Sequence, residues 1–166
     1  MGTNTPEIKV SAVRKLGAKV VLQGNNYDEA SEHARGLQKE LGLTYIHPFD
    51  DPEVIAGQGT IAMEMLRQHT GRLDAVFIPV GGGGLISGMG TYIKYLRPEV
   101  KVIGVEAEGS ACLHAALEAN KRVRLNPKDL DQFADGTSVS QVGKETFRLA
   151  KACVDEVVKV TVDEIC

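Results

Sequence analysis

The chain has 166 residues, enough for one domain or for one and a half small ones. Its net charge of −3, with the basic residues scattered along the chain, argues against a nucleic acid or an anionic membrane surface as a partner. No run approaches the roughly 18 apolar residues that a membrane span needs. The three cysteines have neither metal-ligand nor redox spacing, so we expect them to be packing residues in a reducing compartment.

The first third of the chain is predicted to contain two strands with a helix between them. Residues 18–24 and 43–49 are short runs rich in apolar residues, which is typical of buried strands. Between them, Asn26 is expected to cap a helix with Glu29 as its capping-box partner, and Gly42 is expected to end that helix. The apolar residues of this helix recur at helical spacing and are Ala30, Ala34, Leu37 and Leu41.

The rest of the chain alternates between helices and strands. Asp51, Pro52 and Glu53 form a helix start, and this helix is predicted to run to about residue 70 with Ile61, Met65 and Leu66 on its buried face. The later elements are expected at 75–81 (strand), 85–96 (helix), 100–108 (strand), a helix capped by Ser110, 144–154 (helix) and 156–162 (strand).

This alternation predicts an α/β fold with a three-layer, open, mainly parallel sheet and helices on both faces. The strand at 75–81 has no polar alternation, so we expect it to be covered on both faces.

Four consecutive glycines, Gly81, Gly82, Gly83 and Gly84, follow that strand and precede a helix. Ligands of open parallel sheets bind beyond the carboxyl ends of the strands, which is where this run is predicted to lie. Glycines can turn successive N–H groups inward and let a ligand approach the backbone, and the helix N-terminus adds free donors and a positive dipole end. The sequence therefore predicts a phosphate-binding loop.

Two other interpretations of the glycine run stay open from the residues alone. The dinucleotide pattern G-x-G-x-x-G and the ATP-loop pattern both fail here, but Glu106 ends the next strand, where a Rossmann-like nucleotide-binding domain holds a ribose. The run could also be a tight turn that binds nothing. Within the following helix, Gly88 and Gly90 are expected to allow a close approach to the sheet or to a neighbouring helix.

Five segments together resemble threonine dehydratase and, more broadly, the fold type II pyridoxal-phosphate enzymes that include serine racemase. In chain order they lie at 47–66 ("HPFDDPEVIAGQGTIAMEML"), 79–90 ("PVGGGGLISGMG"), 102–108 ("VIGVEAE"), 133–139 ("FADGTSV") and 154–166 ("VDEVVKVTVDEIC"). The resemblance covers essentially the whole chain. It implies that residues 1–51 end the small lobe and that residues 52–166 belong to the coenzyme-binding lobe, which would be incomplete at its C-terminus.

The resemblance also implies roles for particular residues. The four glycines and the backbone of Leu85 match the family loop that cradles the 5'-phosphate of the coenzyme. Asp135 and Gly136 match a segment that lines the coenzyme site. Glu106 matches a carboxylate that helps to hold a structural divalent cation in serine racemase, although Ser110 and Cys112 depart from that ligand set.

The implied activity is that of a pyridoxal-phosphate-dependent ammonia-lyase. It would eliminate water from L-threonine, or from L-serine, and release a 2-oxo acid and ammonia, which is the chemistry of isoleucine biosynthesis when threonine is the substrate. The implied partners are a small amino-acid substrate and further copies of the chain in a homo-oligomer, with no nucleic acid and no membrane. The expected location is cytoplasmic, or mitochondrial or plastid where an upstream targeting peptide exists.

The lysines of this chain match no catalytic position of the family. The Schiff-base lysine of the family lies in a Ser-x-Lys segment upstream of the matched region, so no catalytic residue is assigned here. Because groups that act as a unit lose most of their effect when one is removed, we expect the isolated chain to be an inactive fragment of a longer enzyme. A non-catalytic module that pairs with a longer relative is the remaining alternative.

Overall fold

A computed structural model describes all residues, 1–166, and divides them into two compact units, Met1–Ile46 and His47–Cys166. The helices are α1 (Glu7–Lys15), α2 (Tyr27–Leu41), α3 (Pro52–Gln68), α4 (Gly84–Leu96), α5 (Cys112–Glu118), α6 (Lys144–Cys153) and α7 (Val162–Ile165). The strands are β1 (Ala75–Pro79), β2 (Lys101–Ala107) and β3 (Glu156–Val160).

The first unit is helical, and the two strands predicted there are wrong. Residues 18–24 make only isolated backbone bonds to the N-terminus, such as Gln23 N to the Met1 carbonyl at 2.9 Å and Thr3 N to the Gly24 carbonyl at 2.7 Å. Residues 43–49 also form no strand. An apolar run becomes a strand only where a neighbouring strand completes its hydrogen-bond ladder, and neither run pairs with a strand.

The ends of α2 follow the sequence closely. The Asn26 side chain accepts a hydrogen bond from Glu29 N, and Gly42 ends the helix in the left-handed conformation with φ of 65°. The Glu29 carboxylate bonds Asn25 N at 2.8 Å rather than Asn26 N, so the capping box is shifted by one residue. No residue of α2 is buried, and Leu41 is 59% exposed.

The second unit contains a three-stranded parallel sheet in the order β1-β2-β3. Val76 pairs with Val102, and Glu106 pairs with Lys159. Because parallel strands end at the same edge, the end of β1 lies beside the end of β2, where Glu106 is found. This sheet confirms the predicted α/β class and the predicted parallel arrangement.

The core lies on one face of the sheet. Val76, Ile78 and Val102 from the strands cluster there with buried apolar side chains of α3, α4, α5 and α6. Side chains alternate between the two faces of a strand, so Phe77 points to the opposite face, and it is 64% exposed. The expectation that β1 is covered on both faces is therefore wrong for these residues.

Helices α3 and α4 touch at a pair of glycines. A Cβ on Gly88 would lie 2.3 Å from the Ile55 carbonyl oxygen, and a Cβ on Gly59 would lie 3.1 Å from the Gly88 carbonyl oxygen. A Cβ on Gly90 would lie 2.7 Å from the sulfur of Cys153 on α6. These contacts confirm that the helical glycines permit close approach.

The predicted buried face of α3 is confirmed at Met65, which packs against the core, and is wrong at Ile61. Asp51 caps α3 as expected, because its side chain accepts from Glu53 N at 2.9 Å, and Pro52 is the first helical residue. The buried residues are Ile55, Gly59 and Ala62, whereas Ile61 is 47% exposed. The second unit begins at His47, and residues 47–51 pack on α4 and α6. No helix of the chain is both long enough and apolar enough to cross a bilayer.

Candidate phosphate-binding site

The four glycines form the connection between β1 and α4, at the carboxyl edge of the sheet. Gly83 is the N-cap of α4 and has a φ of 91°, a left-handed conformation that glycine adopts without strain. Gly82, Gly83 and Gly84 are buried. The loop therefore leads directly into the first turn of α4, a helix of 13 residues.

The backbone N–H groups of residues 81–86 donate to no acceptor of this chain. The first hydrogen bond of α4 is the one that Ser87 N donates to the Gly83 carbonyl at 3.0 Å. Gly82, Gly83, Gly84 and Ile86 are buried, and buried backbone donors are almost always paired, so these groups indicate an acceptor from outside the chain. The positive end of the α4 dipole favours an anionic acceptor. A phosphate group, with several acceptor oxygens and negative charge, fits this donor set.

Close packing explains why the loop needs glycine. A Cβ on Gly82 would lie 2.3 Å from the Phe49 ring, and a Cβ on Gly84 would lie 3.0 Å from the Phe49 Cβ. A Cβ on Gly83 would lie 3.0 Å from Thr146 side-chain atoms. We expected the missing side chains to make room for a ligand. In the structure, other residues of this chain occupy the space on the Cβ side of the glycines. Only the backbone amides of the loop remain available to a ligand.

Two residues that the sequence analysis missed hold the loop. The Thr146 hydroxyl donates to the Gly82 carbonyl at 2.8 Å, and the Asp50 carboxylate accepts from Lys144 N and Glu145 N, both at 2.8 Å, and from Thr146 N at 3.1 Å. The paired acids of "FDDPE" were a signal for Asp50, since one of them suffices to cap α3. The sequence contains no comparable signal for Thr146.

Asp135 and Gly136 lie in a turn next to the glycine loop. Thr137 holds the turn, because its backbone N–H and its hydroxyl both donate to the Ala134 carbonyl at 3.0 Å. The Thr137 backbone also packs on Gly81, whose hypothetical Cβ would lie 3.0 Å from the Thr137 Cα. Asp135 and Gly136 themselves are exposed, and their part in lining a coenzyme site stays a prediction.

Glu106 caps α5 from the end of β2. Its two carboxylate oxygens accept hydrogen bonds from Leu113 N at 2.9 Å and from His114 N at 2.7 Å, and the side chain is buried. The predicted cap, Ser110, is wrong, because a short 3₁₀ turn precedes α5 and the residue at the N-cap position is Ala111. The structure brings together no group of three or more His, Cys, Asp or Glu side chains that could hold a metal ion. Glu106 acts as a helix cap, and its role as a cation ligand stays a prediction.

Burial raises the pKa of Glu106 to about 7, against the opposing effect of its backbone hydrogen bonds. The folded state therefore keeps a proton that the unfolded state releases from about pH 4.5 upward. The stability that Glu106 contributes is complete below that pH and is lost as the pH rises through about 7.

Between pH 4.5 and 8, we expect the free energy of unfolding of the wild-type protein to fall by on the order of 3 kcal/mol relative to that of Glu106→Gln. Chemical unfolding of both proteins at four pH values measures the difference. The control is Glu108→Gln, a substitution at an exposed residue, whose stability is expected to change with pH as that of the wild type does. A difference between wild type and Glu106→Gln that does not change with pH would refute the assigned cause.

A family model described as pyridoxal-phosphate dependent enzyme matches residues 1–166. This chain belongs to that family. Among curated proteins, the chain is similar to the L-threonine dehydratase biosynthetic IlvA of Burkholderia multivorans, 54% identical over 165 residues. The mitochondrial threonine dehydratase of Saccharomyces cerevisiae is 54% identical over 164 residues. Both comparisons cover 98% of this chain but only 32% and 28% of the relatives, so the chain spans about a third of their length.

Solved structures of a threonine deaminase and of a serine racemase share the fold. The processed form of threonine deaminase isoform 2 from Solanum lycopersicum is 50% identical, with a TM-score of 0.88 over 97% of this chain and 46% of that one. Serine racemase from Dictyostelium discoideum is 35% identical, with a TM-score of 0.82 over 99% of this chain and 51% of that one. The α/β fold with a parallel sheet is thus the fold type II arrangement, and the comparisons do not support the nucleotide-binding alternative.

Proposed function

We propose that these residues form the phosphate-binding part of an ammonia-lyase that converts L-threonine, or L-serine, to a 2-oxo acid and ammonia with pyridoxal 5'-phosphate. The observation that carries the proposal is the row of unpaired N–H groups at residues 81–86, most of them in buried residues, where the sheet ends and α4 begins. The relatives named threonine dehydratase support this choice of reaction.

The backbone of residues 81–86 would hold the phosphate group. The N–H groups of this backbone would donate to phosphate oxygens, and the α4 dipole would stabilise the negative charge of those oxygens. Asp135 and Gly136 would contribute to the wall of the site beyond Gly81. When bound, the coenzyme supplies a ring that withdraws electrons from the α-carbon of the amino acid. The loop would thus act by fixing the position of that ring relative to the substrate.

Other groups needed for turnover would come from outside these residues. No lysine of the chain matches the catalytic position of the family, so we assign the nucleophile and the base to segments not represented here. We propose that the enzyme is a homo-oligomer. We also propose that it is located in the cytoplasm or in an organelle, as the name of the mitochondrial yeast relative suggests for that protein. Glu106 caps α5, and its part in holding a divalent cation stays a prediction.

An assay of the full-length enzyme tests the proposed activity. With pyridoxal phosphate and L-threonine, we expect 2-oxobutanoate and ammonia in equal amounts, measured by reduction of the oxo acid with NADH and by an ammonia assay. D-threonine is the control for non-enzymatic loss of ammonia, and the 166-residue chain assayed alone is expected to form no product. Tight coenzyme binding without any release of ammonia from L-threonine or L-serine would contradict the proposed reaction.

A further inference from the structure

Thr146 contacts the glycine loop at the point where the loop enters α4. Its hydroxyl donates to the Gly82 carbonyl at 2.8 Å, and its side chain packs on Gly83. The side chain is fully buried, so this hydrogen bond is shielded from water. The Gly82 carbonyl has one further donor, Gly143 N at 3.2 Å.

The hydrogen bond from Thr146 sets the direction of an amide that the site needs. All peptide bonds of the chain are trans, so the carbonyl and the N–H of one peptide unit point in opposite directions. Because the Gly82 carbonyl points at Thr146, the N–H of Gly83 in the same unit points away from it. The preceding unit is set in the same way, since the Cys112 thiol lies 3.5 Å from the Gly81 carbonyl oxygen.

Thr146 is itself fixed from two sides. Its carbonyl accepts a hydrogen bond from the Ser87 hydroxyl on α4 at 2.9 Å, and this contact is also buried. Its N–H donates to Asp50, which caps the first turn of α6 in place of a side chain at the N-cap, Gly143. Thr146 is thus held in place by Ser87 on α4 and by Asp50 in the segment before α3.

We propose that Thr146, held by Asp50 and Ser87, is a positioning residue that aims the Gly83 amide at the phosphate group. The inference rests on the proposed function, because it assigns a task to a residue that touches the loop and not the ligand. It predicts that the Thr146 hydroxyl contributes to the binding of the phosphate and not to the binding of the rest of the coenzyme.

Comparison of two ligands isolates this contribution. Apo full-length enzyme is titrated with pyridoxal phosphate and with pyridoxal, which lacks the phosphate, and the ratio of the two dissociation constants is measured. Thr146→Val keeps the shape of the side chain and removes its donor. We expect it to lower the preference for pyridoxal phosphate about tenfold while pyridoxal binding stays unchanged. Thr146→Ser restores the donor and is expected to keep the wild-type preference.

The matched control is Thr60→Val, because Thr60 is an exposed helical threonine whose hydroxyl also donates to a backbone carbonyl, that of Gly57 at 2.7 Å. An unchanged ratio in Thr146→Val, or equal weakening of both ligands, would show a merely structural role and overturn the inference. Should Thr146→Val fail to fold, Ser87→Ala is expected to lower the ratio about threefold, and an unchanged ratio there overturns it equally. A wild-type enzyme without preference for pyridoxal phosphate would instead refute the proposed function.

Discussion

Replacing Gly88 by alanine is expected to lower the free energy of unfolding by about 3 kcal/mol, near the upper end of the cost of overpacking a core. The added Cβ would lie 2.3 Å from the Ile55 carbonyl oxygen and 2.7 Å from Gly59 N. Both atoms belong to the backbone of α3, which cannot turn aside as a flexible side chain does. The two helices would have to separate, and the buried contacts between them would be lost. Chemical unfolding followed by circular dichroism measures the effect.

Gly57 provides the matched control on the same pair of helices. It is an exposed residue of α3, and nothing lies within 4 Å of a Cβ built on it. Gly57→Ala is expected to be neutral or to stabilise by up to about 1 kcal/mol, because alanine is the better helix former. Equal stabilities of Gly88→Ala and Gly57→Ala would contradict a close contact between Gly88 and the backbone of α3.

Replacing Gly82 by alanine is expected to weaken binding of pyridoxal phosphate by about a hundredfold or more. A Cβ there would lie 2.3 Å from the Phe49 ring, so either the ring or the loop must move. A shift of about 1 Å in such a loop misaligns several donors together, and binding that depends on preorganised amides loses most of their contribution. Titration of the apo full-length enzyme, followed by the absorbance of the bound coenzyme, measures the loss.

A second substitution separates steric displacement from other causes. Removing the ring in Gly82→Ala/Phe49→Ala frees the space that the new methyl group needs, so we expect the double variant to regain at least about tenfold of the lost affinity. Phe49→Ala alone gives the baseline for the cavity that it creates. A double variant as weak as Gly82→Ala would mean that the Phe49 contact is not what requires glycine at this position.

Local sequence patterns were sufficient where the structure depends on neighbouring residues in the chain. The three strands of the sheet and the helix after the glycines were predicted to within a few residues, because apolar runs and helix-ending residues are local signals. The caps at Asn26 and Asp51 and the left-handed Gly42 were predicted for the same reason. The glycine run itself marked the candidate site.

The missed features depend on partners that are distant in sequence. Residues 18–24 have strand-like composition, but a strand also needs a ladder partner, which composition does not reveal. Asp50 caps a helix 94 residues later, and Thr146 bonds a glycine 64 residues earlier, so no local pattern connects them. Glu106 was singled out from the resemblance as a cation ligand, and its capping of α5 became visible only once β2 and α5 were placed together.

A crystal structure of the full-length enzyme with bound pyridoxal phosphate tests the central claim most directly. We expect the phosphate oxygens to lie about 2.7–3.2 Å from several of the backbone nitrogens of residues 81–86, with Gly82 still bonded to Thr146. A phosphate group held instead by lysine or arginine side chains, with these amides turned away from it, would contradict the account.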